Sequence, residues 1–393
     1  MEPDATRPLP PLVLIGFALA GTSPVALVAV TLSGATGLAL RLLVPATTVA
    51  LVFFLAPLAV WLGYSRSIAA QGGLFAFVER AAGRPLALVQ GWVWTLSYVL
   101  YLPYTVTYIV YYLMPYVWPI SVVQARVLEV ALAAAICVLV LLAERAALYA
   151  LAALSAVQAA ALVALGAVVL SGPIHAHAPI VGLPAPSGLL AFAGGAAQVS
   201  LLFVCLSLVV FLGGEAAEGA AGVRRALGLG FALAAALTLI GAWTLAHGAG
   251  AAALRAWLPG DAVAARYASP AAATALGGIA LCGIAAVIVA EFVALTRLGG
   301  AMLGLDRRTA GVVIAAFFVA ADAASLVNPQ RFYTVLIGPS VAALYLSQLM
   351  VFAVYPLLRR DGRAGGAGAW LVAAAAVAWS LFGLWGAVTT GIL

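Results

Sequence analysis

Apolar runs, each near the length of a bilayer crossing, follow one another along this chain with short polar breaks between them. They fall at about 11–33, 43–63, 86–113, 125–143, 147–171, 190–222, 227–248, 271–297, 309–327, 332–358 and 368–391. A helix needs roughly 20 apolar residues to cross a hydrocarbon layer about 30 Å thick, and each run approaches or exceeds that length. The stretch at 65–83 is different. Leu74, Phe75, Phe77 and Val78 mix with Glu79 and Arg80, a pattern that predicts a re-entrant or surface helix. The expectation is an all-α polytopic membrane protein of about eleven transmembrane helices.

Two runs are interrupted, and they stand half a chain apart. The first contains Gly21-Thr22-Ser23-Pro24 and the sixth contains Phe211-Leu212-Gly213-Gly214-Glu215. Freed backbone N–H and C=O groups cost several kcal/mol each in lipid unless protein or water satisfies them. Matched breaks in two halves of a chain therefore point to a substrate site. Runs one to five and six to ten occupy similar lengths, and five is odd, so the second set enters the membrane from the opposite side. This is the condition for an inverted repeat. The expected division is 1–171 for the first five-helix repeat, 190–358 for the second, and 368–391 for an extra helix outside both.

Composition agrees with a membrane protein. The chain is 66% hydrophobic and 8% charged, far more apolar than a soluble core requires. The net charge is +6, with arginine as its only basic residue besides histidine and no lysine. That basicity needs no nucleic-acid partner, because the arginines gather between the runs. With the N-terminus in the cytoplasm, the inside segments hold Arg7, Arg66, Arg80, Arg84, Arg145, Arg224, Arg225, Arg297, Arg307, Arg308, Arg359, Arg360 and Arg363. The outside segments hold Arg41, Arg126, Arg255, Arg266 and Arg331. The asymmetry sets the orientation and, with eleven spans, leaves the C-terminus outside. The acidic start, Met1-Glu2-Pro3-Asp4, does not read as a cleaved signal peptide. Cys137, Cys205 and Cys282 lie in apolar stretches and read as packing residues. His175 and His177 flank Ala176 in a loop without an acidic or cysteine cluster, so no metal and no cofactor is expected. The longest outside loops, 172–188 and 249–270, carry Pro and Gly and could cover an entrance.

Local motifs extend the reading. They include Gly16-Phe17-Ala18-Leu19-Ala20-Gly21 before the first break, then Gly72-Gly73-Leu74-Phe75-Ala76-Phe77-Val78, Gly83 and Gly91-Trp92. Further on come Phe211-Leu212-Gly213-Gly214-Glu215, Thr296-Arg297-Leu298-Gly299-Gly300-Ala301-Met302, and Tyr345 with Tyr355-Pro356. In this order the chain resembles the amino acid–polyamine–organocation transporter superfamily, particularly its bacterial amino-acid permeases, over the first ten runs. The resemblance implies two inverted five-helix repeats with helices 1 and 6 broken around a central site. It also implies secondary active transport of an amino acid or related amine across the cell membrane by alternating access. Three departures stand out. The first break reads Gly-Thr-Ser-Pro where the family often has Gly-Ser-Gly. Gly283-Ile284-Ala285-Ala286 offers no hydroxyl where sodium-coupled relatives place one on helix 8. The helix 5 lysine of some proton-coupled relatives is missing, and Gln158 is the nearest polar group.

The candidate substrate-binding residues are Gly21, Thr22, Ser23, Tyr108, Phe211, Gly213 and Gly214. N–H groups at Gly21, Thr22 and Ser23 would suit a carboxylate at a helix N-terminus; the competing reading is a proline kink in which Thr22 and Ser23 bond back to carbonyls. The carbonyls around Gly213 and Gly214 would accept from an ammonium; the competing reading is a close helix contact through small residues. Phe211 would close as a lid. Tyr101, Tyr104, Tyr108 and Tyr111 form a stripe in which Tyr108 lies at the best depth. Charged groups within a bilayer default to functional hypotheses. Glu215 leads as proton carrier and Glu291 follows, with an ion pair to Arg297 as the plain alternative. Glu218 pairs with Arg224 or Arg225, Gln158 substitutes at the ion position, and Asp322 on a peripheral helix has no assigned role. The implied partners are a small-molecule substrate, the lipid bilayer and protons. Exchange of amines or amino acids, or carriage of another organic cation or a nucleobase, is the alternative function. A metal-ion carrier of the superfamily would show Asp-Pro-Gly in the first run, and it is absent. A non-transporting scaffold or sensor is the rival of a different class. An intramembrane enzyme is disfavoured, since the chain has no HExxH, GxSxG or paired-Asp motif.

Overall fold

The computed structural model describes residues 8–26, 42–172, 185, 188–249, 258–358 and 366–389. Several expectations lie outside these residues: the first run beyond Ala26, both chain ends, His175 and His177, and Arg7, Arg41, Arg255, Arg359, Arg360 and Arg363. Every regular element among the described residues is helical. In order they are α1 (Pro11–Thr22), α2 (Pro24–Ala26), α3 (Leu43–Tyr64), α4 (Leu74–Ala82) and α5 (Arg84–Thr107), followed by a π-helical turn (Tyr108–Leu113). Then come α6 (Met114–Val117), α7 (Val122–Ser171), α8 (Leu189–Leu201) and a 3-10 segment (Val204–Glu215). The chain continues through α9 (Gly219–Gly248), α10 (Pro259–Tyr267), α11 (Pro270–Leu303), α12 (Arg307–Ser325), α13 (Pro329–Ala353), a short 3-10 turn (Tyr355–Leu357) and α14 (Ala367–Thr389).

Nine helical stretches among the described residues are long and apolar enough to cross a membrane, and Pro11–Ala26 is a shorter apolar helix. The fourth and fifth runs are continuous in α7. Its 50 residues would measure about 75 Å at the helical rise, more than twice the hydrocarbon thickness. The helix loses its regular winding at Ala143, where φ is −141° and ψ is 37°, at the boundary between the two expected runs.

Polar residues start the helices where the chain re-enters the apolar layer. Ser121 and Gln124 form a reciprocal capping box on α7. Ser269 caps α11, Asp306 caps α12 and Asn328 caps α13. Each satisfies a backbone N–H that the first turn leaves unpaired. The stretch expected as a re-entrant or surface helix is α4, which buries Leu74, Phe75, Phe77 and Val78. The loop expected at 249–270 contains α10.

Burial separates core from periphery. The most apolar windows of α8 with its 3-10 segment and of α11 are 78% buried, against 28% for α7 and α12. The inner helices are α1, α8 and α11, with α5 alongside α11. Hydroxyls join the surrounding helices: Ser97 Oγ donates to Ser340 O at 2.8 Å and Ser340 Oγ returns a bond to Ser97 O at 2.9 Å, tying α5 to α13. Glu129 of α7 accepts from Thr107 Oγ1 of α5 at 2.6 Å and from Ser325 Oγ of α12. The residues before α1 are tied to the end of the 3-10 segment, with Leu9 N–H donating to Glu215 O at 2.7 Å and Ala217 N–H to Leu9 O at 3.1 Å.

Candidate functional site

The α1 break forms because Pro24 has no N–H and Ser23 takes a left-handed conformation, φ 40° and ψ 74°. Thr22 Oγ1 donates to Leu19 O at 2.8 Å, so this hydroxyl bonds back to its own helix. Ser23 N–H closes onto Ala20 O at 3.1 Å. The amide oxygen of Gln158 in α7 accepts from Ser23 Oγ at 3.0 Å and from Val25 N–H at 3.3 Å. Gly283 of α11 passes so close that an added Cβ would strike Ser23 Oγ and Gln158 Oε1. The Gln158 side chain therefore sits where α1, α7 and α11 meet. Its amide nitrogen is buried without a partner.

The second interruption begins earlier than the glycines indicate and runs through them. α8 ends at Leu201, and the chain winds as a 3-10 helix from Val204 through Glu215. Twelve residues is long for that winding. Two hydroxyls reinforce it by bonding three residues back, Ser200 Oγ to Ala197 O and Ser207 Oγ to Val204 O, both at 2.7 Å. The closest approach of the two broken helices is at Gly21, where an added Cβ would lie 2.6 Å from Cys205 O. Gly213 and Gly214 lie about 16 Å further along the segment at the 3-10 rise. There they press against Ala69, Ala70 and Gln71, which is the close-contact reading. Phe211 is buried against Trp94, with ring centroids 4.7 Å apart.

The buried carboxylates divide sharply. Glu215 Oε1 accepts from Arg297 Nε at 2.8 Å and from Arg307 Nη2 at 2.7 Å, and its Oε2 accepts from Arg297 Nη2 at 3.1 Å. Arg297 is fully buried, also pairs with Glu144, and gives Nη1 to Val293 O. Arg297 and Arg307 thus match Glu215, the foremost proton carrier in the sequence reading. Glu218 pairs with Arg225 at 2.9 Å on the half-exposed rim.

Glu291, also fully buried, makes no salt bridge among the described residues. Arg297 is occupied elsewhere, so the expected alternative pair does not form. Oε1 of Glu291 receives the Cys205 thiol at 3.7 Å, and the Tyr98 hydroxyl lies 3.8 Å from that sulfur. Oε2 has no partner. Tyr98, Tyr101 and Tyr104 all lie within electrostatic reach of this carboxylate.

Aromatic rings run along α5 from one end of the site to the other. Trp94 packs on Tyr98 at 4.1 Å, Tyr101 on Tyr104 at 5.2 Å, and Tyr104 on Tyr333 of α13 at 5.7 Å. Tyr108 stacks on Tyr333 at 5.4 Å, beyond the neighbours of Glu291. Sequence reasoning missed Trp94, Tyr98, Cys205 and Tyr333. The first two continue the tyrosine stripe backwards at steps of three and four, so the stripe itself held the signal. Asp322 is buried with both oxygens unpartnered and lies near Glu129, away from the broken helices. Outside the spans, burial pushes the Asp261 carboxyl of α10 up to about 7; it lies against Gly277 of α11 and Val117.

Three solved structures are similar to this chain over most of its length. MhsT in complex with L-phenylalanine aligns with a TM-score of 0.61 at 14% identity, over 96% of this chain and 98% of its own. Mhp1, a nucleobase-cation-symport-1 family transporter with bromovinylhydantoin bound, gives 0.60 at 14% identity, over 100% and 97%. The Eremococcus coleocola manganese transporter with an aromatic bis-isothiourea compound gives 0.57 at 14% identity, over 94% and 86%. No family model matches the chain, and no curated protein matches it. At these identities the likeness establishes the architecture, and the chain has the helical fold of these proteins.

Proposed function

We propose that this protein is a secondary transporter that carries a small organic solute, an amine or amino acid, across the cell membrane by alternating access. The observation that carries the reading is the meeting of two interrupted helices at Gly21 and Cys205, with a buried carboxylate of no counter-charge beside them. Broken helices at the midplane are how transporter folds present polar backbone in a bilayer. Solved transporters of the same architecture support it. In this reading α7 counts as two spans divided at Ala143, which brings the total to eleven. Residues 1–171 and 190–358 are then the inverted repeats, and 368–391 the added helix. The N-terminus is cytoplasmic and the C-terminus outside. Glu215, Arg297, Glu144 and Arg307 form the inner gate with the Leu9 contact. Gln158 holds the ion position with a neutral amide, so transport needs no sodium. Carriage of another organic cation or a nucleobase is the second reading, favoured by the likeness to Mhp1.

The test uses Cys205 as the reporter. With Cys137→Ala and Cys282→Ala, Cys205 is the remaining thiol. In proteoliposomes an impermeant thiol reagent applied on the Arg297 side should label it slowly. Glu215→Gln should raise that rate severalfold by loosening the gate, and a transported solute should change it. Equal labelling from both sides, unmoved by Glu215→Gln and by every solute that accumulates, would remove the alternating-access reading.

A further inference from the structure

Resting on the transport reading, we infer that Glu291 is one site for two exclusive ligands, a proton and the ammonium of an organic amine that lacks a carboxylate. The chain then exchanges one for the other. Three observations lead there.

The first is charge. A buried carboxylate without a partner is among the costliest groups a protein can hold in a membrane. Among the described residues no fixed cation matches it, so it is neutral while protonated and, once ionised, is matched by a ligand that comes and goes. The groups that face it are the Cys205 thiol from the 3-10 segment and the hydroxyls of Tyr98, Tyr101 and Tyr104 from α5. The described parts of α1 and α2 carry no titratable group. From α7 and α12, Glu144 and Arg307 are engaged with Arg297 and Glu215. Asp261 of α10 lies at the other end of α11, beside Gly277.

The second is what the α1 break withholds. An amino-acid carboxylate would need free N–H groups there. Ser23 N–H is bonded to Ala20 O, Val25 N–H goes to Gln158, and Pro24 has none. Helix ends do not reverse this. α1 and α8 bring their negative ends to the break and α2 and the 3-10 segment their positive ones, so these partial charges largely offset. The full charge of Glu291 decides the sign.

The third is the wall. Trp94, Tyr98 and Tyr101 pack ring to ring along α5 beside Glu291, and aromatic faces suit a desolvated ammonium and its apolar body.

The exchange balances without a further reactant. A protonated Glu291 carboxyl loses its O–H proton to water on the open side. The arriving ammonium keeps all three of its protons and donates them to the carboxylate, to Tyr98 and to ring faces. Release on the other side runs the reverse. The carrier cannot hold both ligands, so a proton gradient drives amine the opposite way.

The test measures binding and proton release on purified full-length protein. The probes are phenethylamine against phenylalanine and butylamine against norvaline, pairs that differ only by a carboxylate. The amines should bind and raise the unfolding temperature, and their amino acids should bind at least about tenfold more weakly. A pH indicator in weak buffer should read one proton released per amine bound. Glu291→Gln should abolish the release and weaken amine binding on the order of ten- to a hundredfold, the cost of a lost charged hydrogen bond. Glu291→Asp, as the folded control, should keep the release. Amino acids binding as tightly as their amines, release persisting in Glu291→Gln, or no amine binding at all would overturn the inference. Cys205 labelling would still report alternating access in each case, so the transport reading is judged separately.

Discussion

Glu215, partly exposed, and Glu291, fully buried, are both carboxylates among the core helices, yet they sit in opposite electrostatic settings. Glu215 shares two guanidinium groups, and a second carboxylate, Glu144, completes the network. Glu291 has a thiol at 3.7 Å and an oxygen with no partner. The difference teaches that a membrane carboxylate is read by its compensation more than by its depth. A matched one ties elements together, as Glu215 does through Arg297 and Arg307. An unmatched one must be protonated or meet a mobile counter-charge, which is the role inferred for Glu291.

The comparison breaks first at Arg297. Replacing it with Met leaves Glu215 and Glu144 without their shared cation while Arg307 retains only part of the pairing. Removing one partner of a buried pair costs about 3–5 kcal/mol. The partial exposure of Glu215 and Glu144, 18% and 25%, reduces that to about 3 kcal/mol after solvent screening. Denaturant unfolding in detergent should show the loss, and Arg297→Lys should recover part of it.

A smaller effect is expected at the α1 break. Gln158→Leu removes the acceptor of Ser23 Oγ and Val25 N–H, and leaving such donors buried costs about 1–3 kcal/mol. The Leu side chain fills the space but cannot bond. Unfolding should report the loss, and uptake should fall with it whether or not sodium is present. Sodium stimulation in the parent would contradict a neutral amide at the ion position.

A pH-dependent effect is expected outside the spans. The Asp261 carboxyl, ordinarily near 3.8, is pushed up to about 7 by burial. Between those values the folded state holds a proton that the unfolded state has lost. The group's contribution is therefore fully present below about pH 4 and is lost as pH rises through 7. Asp261→Asn should unfold at a higher temperature than the parent at pH 8 and at about the same temperature at pH 4. A gain confined to low pH would refute the sign.

How far the sequence revealed this arrangement follows from local chemistry. The hydrophobic runs were legible because lipid demands them, and Pro24 marked the α1 break because a missing N–H cannot be hidden. The α8 break was not legible. Residues 201–204, Leu-Leu-Phe-Val, contain no Gly or Pro, and the change of winding is set by tertiary contact with Gly21 and by hydroxyls bonding three residues back. The Gly-Gly pair marks the far end of the irregular segment, where it packs closely against residues 69–71. Gln158 stood out as an amide in an apolar run, and it does touch the α1 break. Which glutamate would meet arginine could not be read from spacing, because Glu215 and Arg297 are joined only by the fold. Trp94 and Tyr98 were within reach of the stripe rule and were missed by starting it two turns late.

Thermal unfolding of Glu215→Gln and Glu291→Gln, side by side in one detergent at pH 7, tests the contrast most directly. The substitutions are isosteric and are made at carboxyls with opposite surroundings. Glu215→Gln should be less stable than the parent by about 1–3 kcal/mol, since it strips charged hydrogen bonds from Arg297 and Arg307. Glu291→Gln should match the parent or exceed it. Equal losses in both variants, or a larger loss at Glu291, would contradict the account.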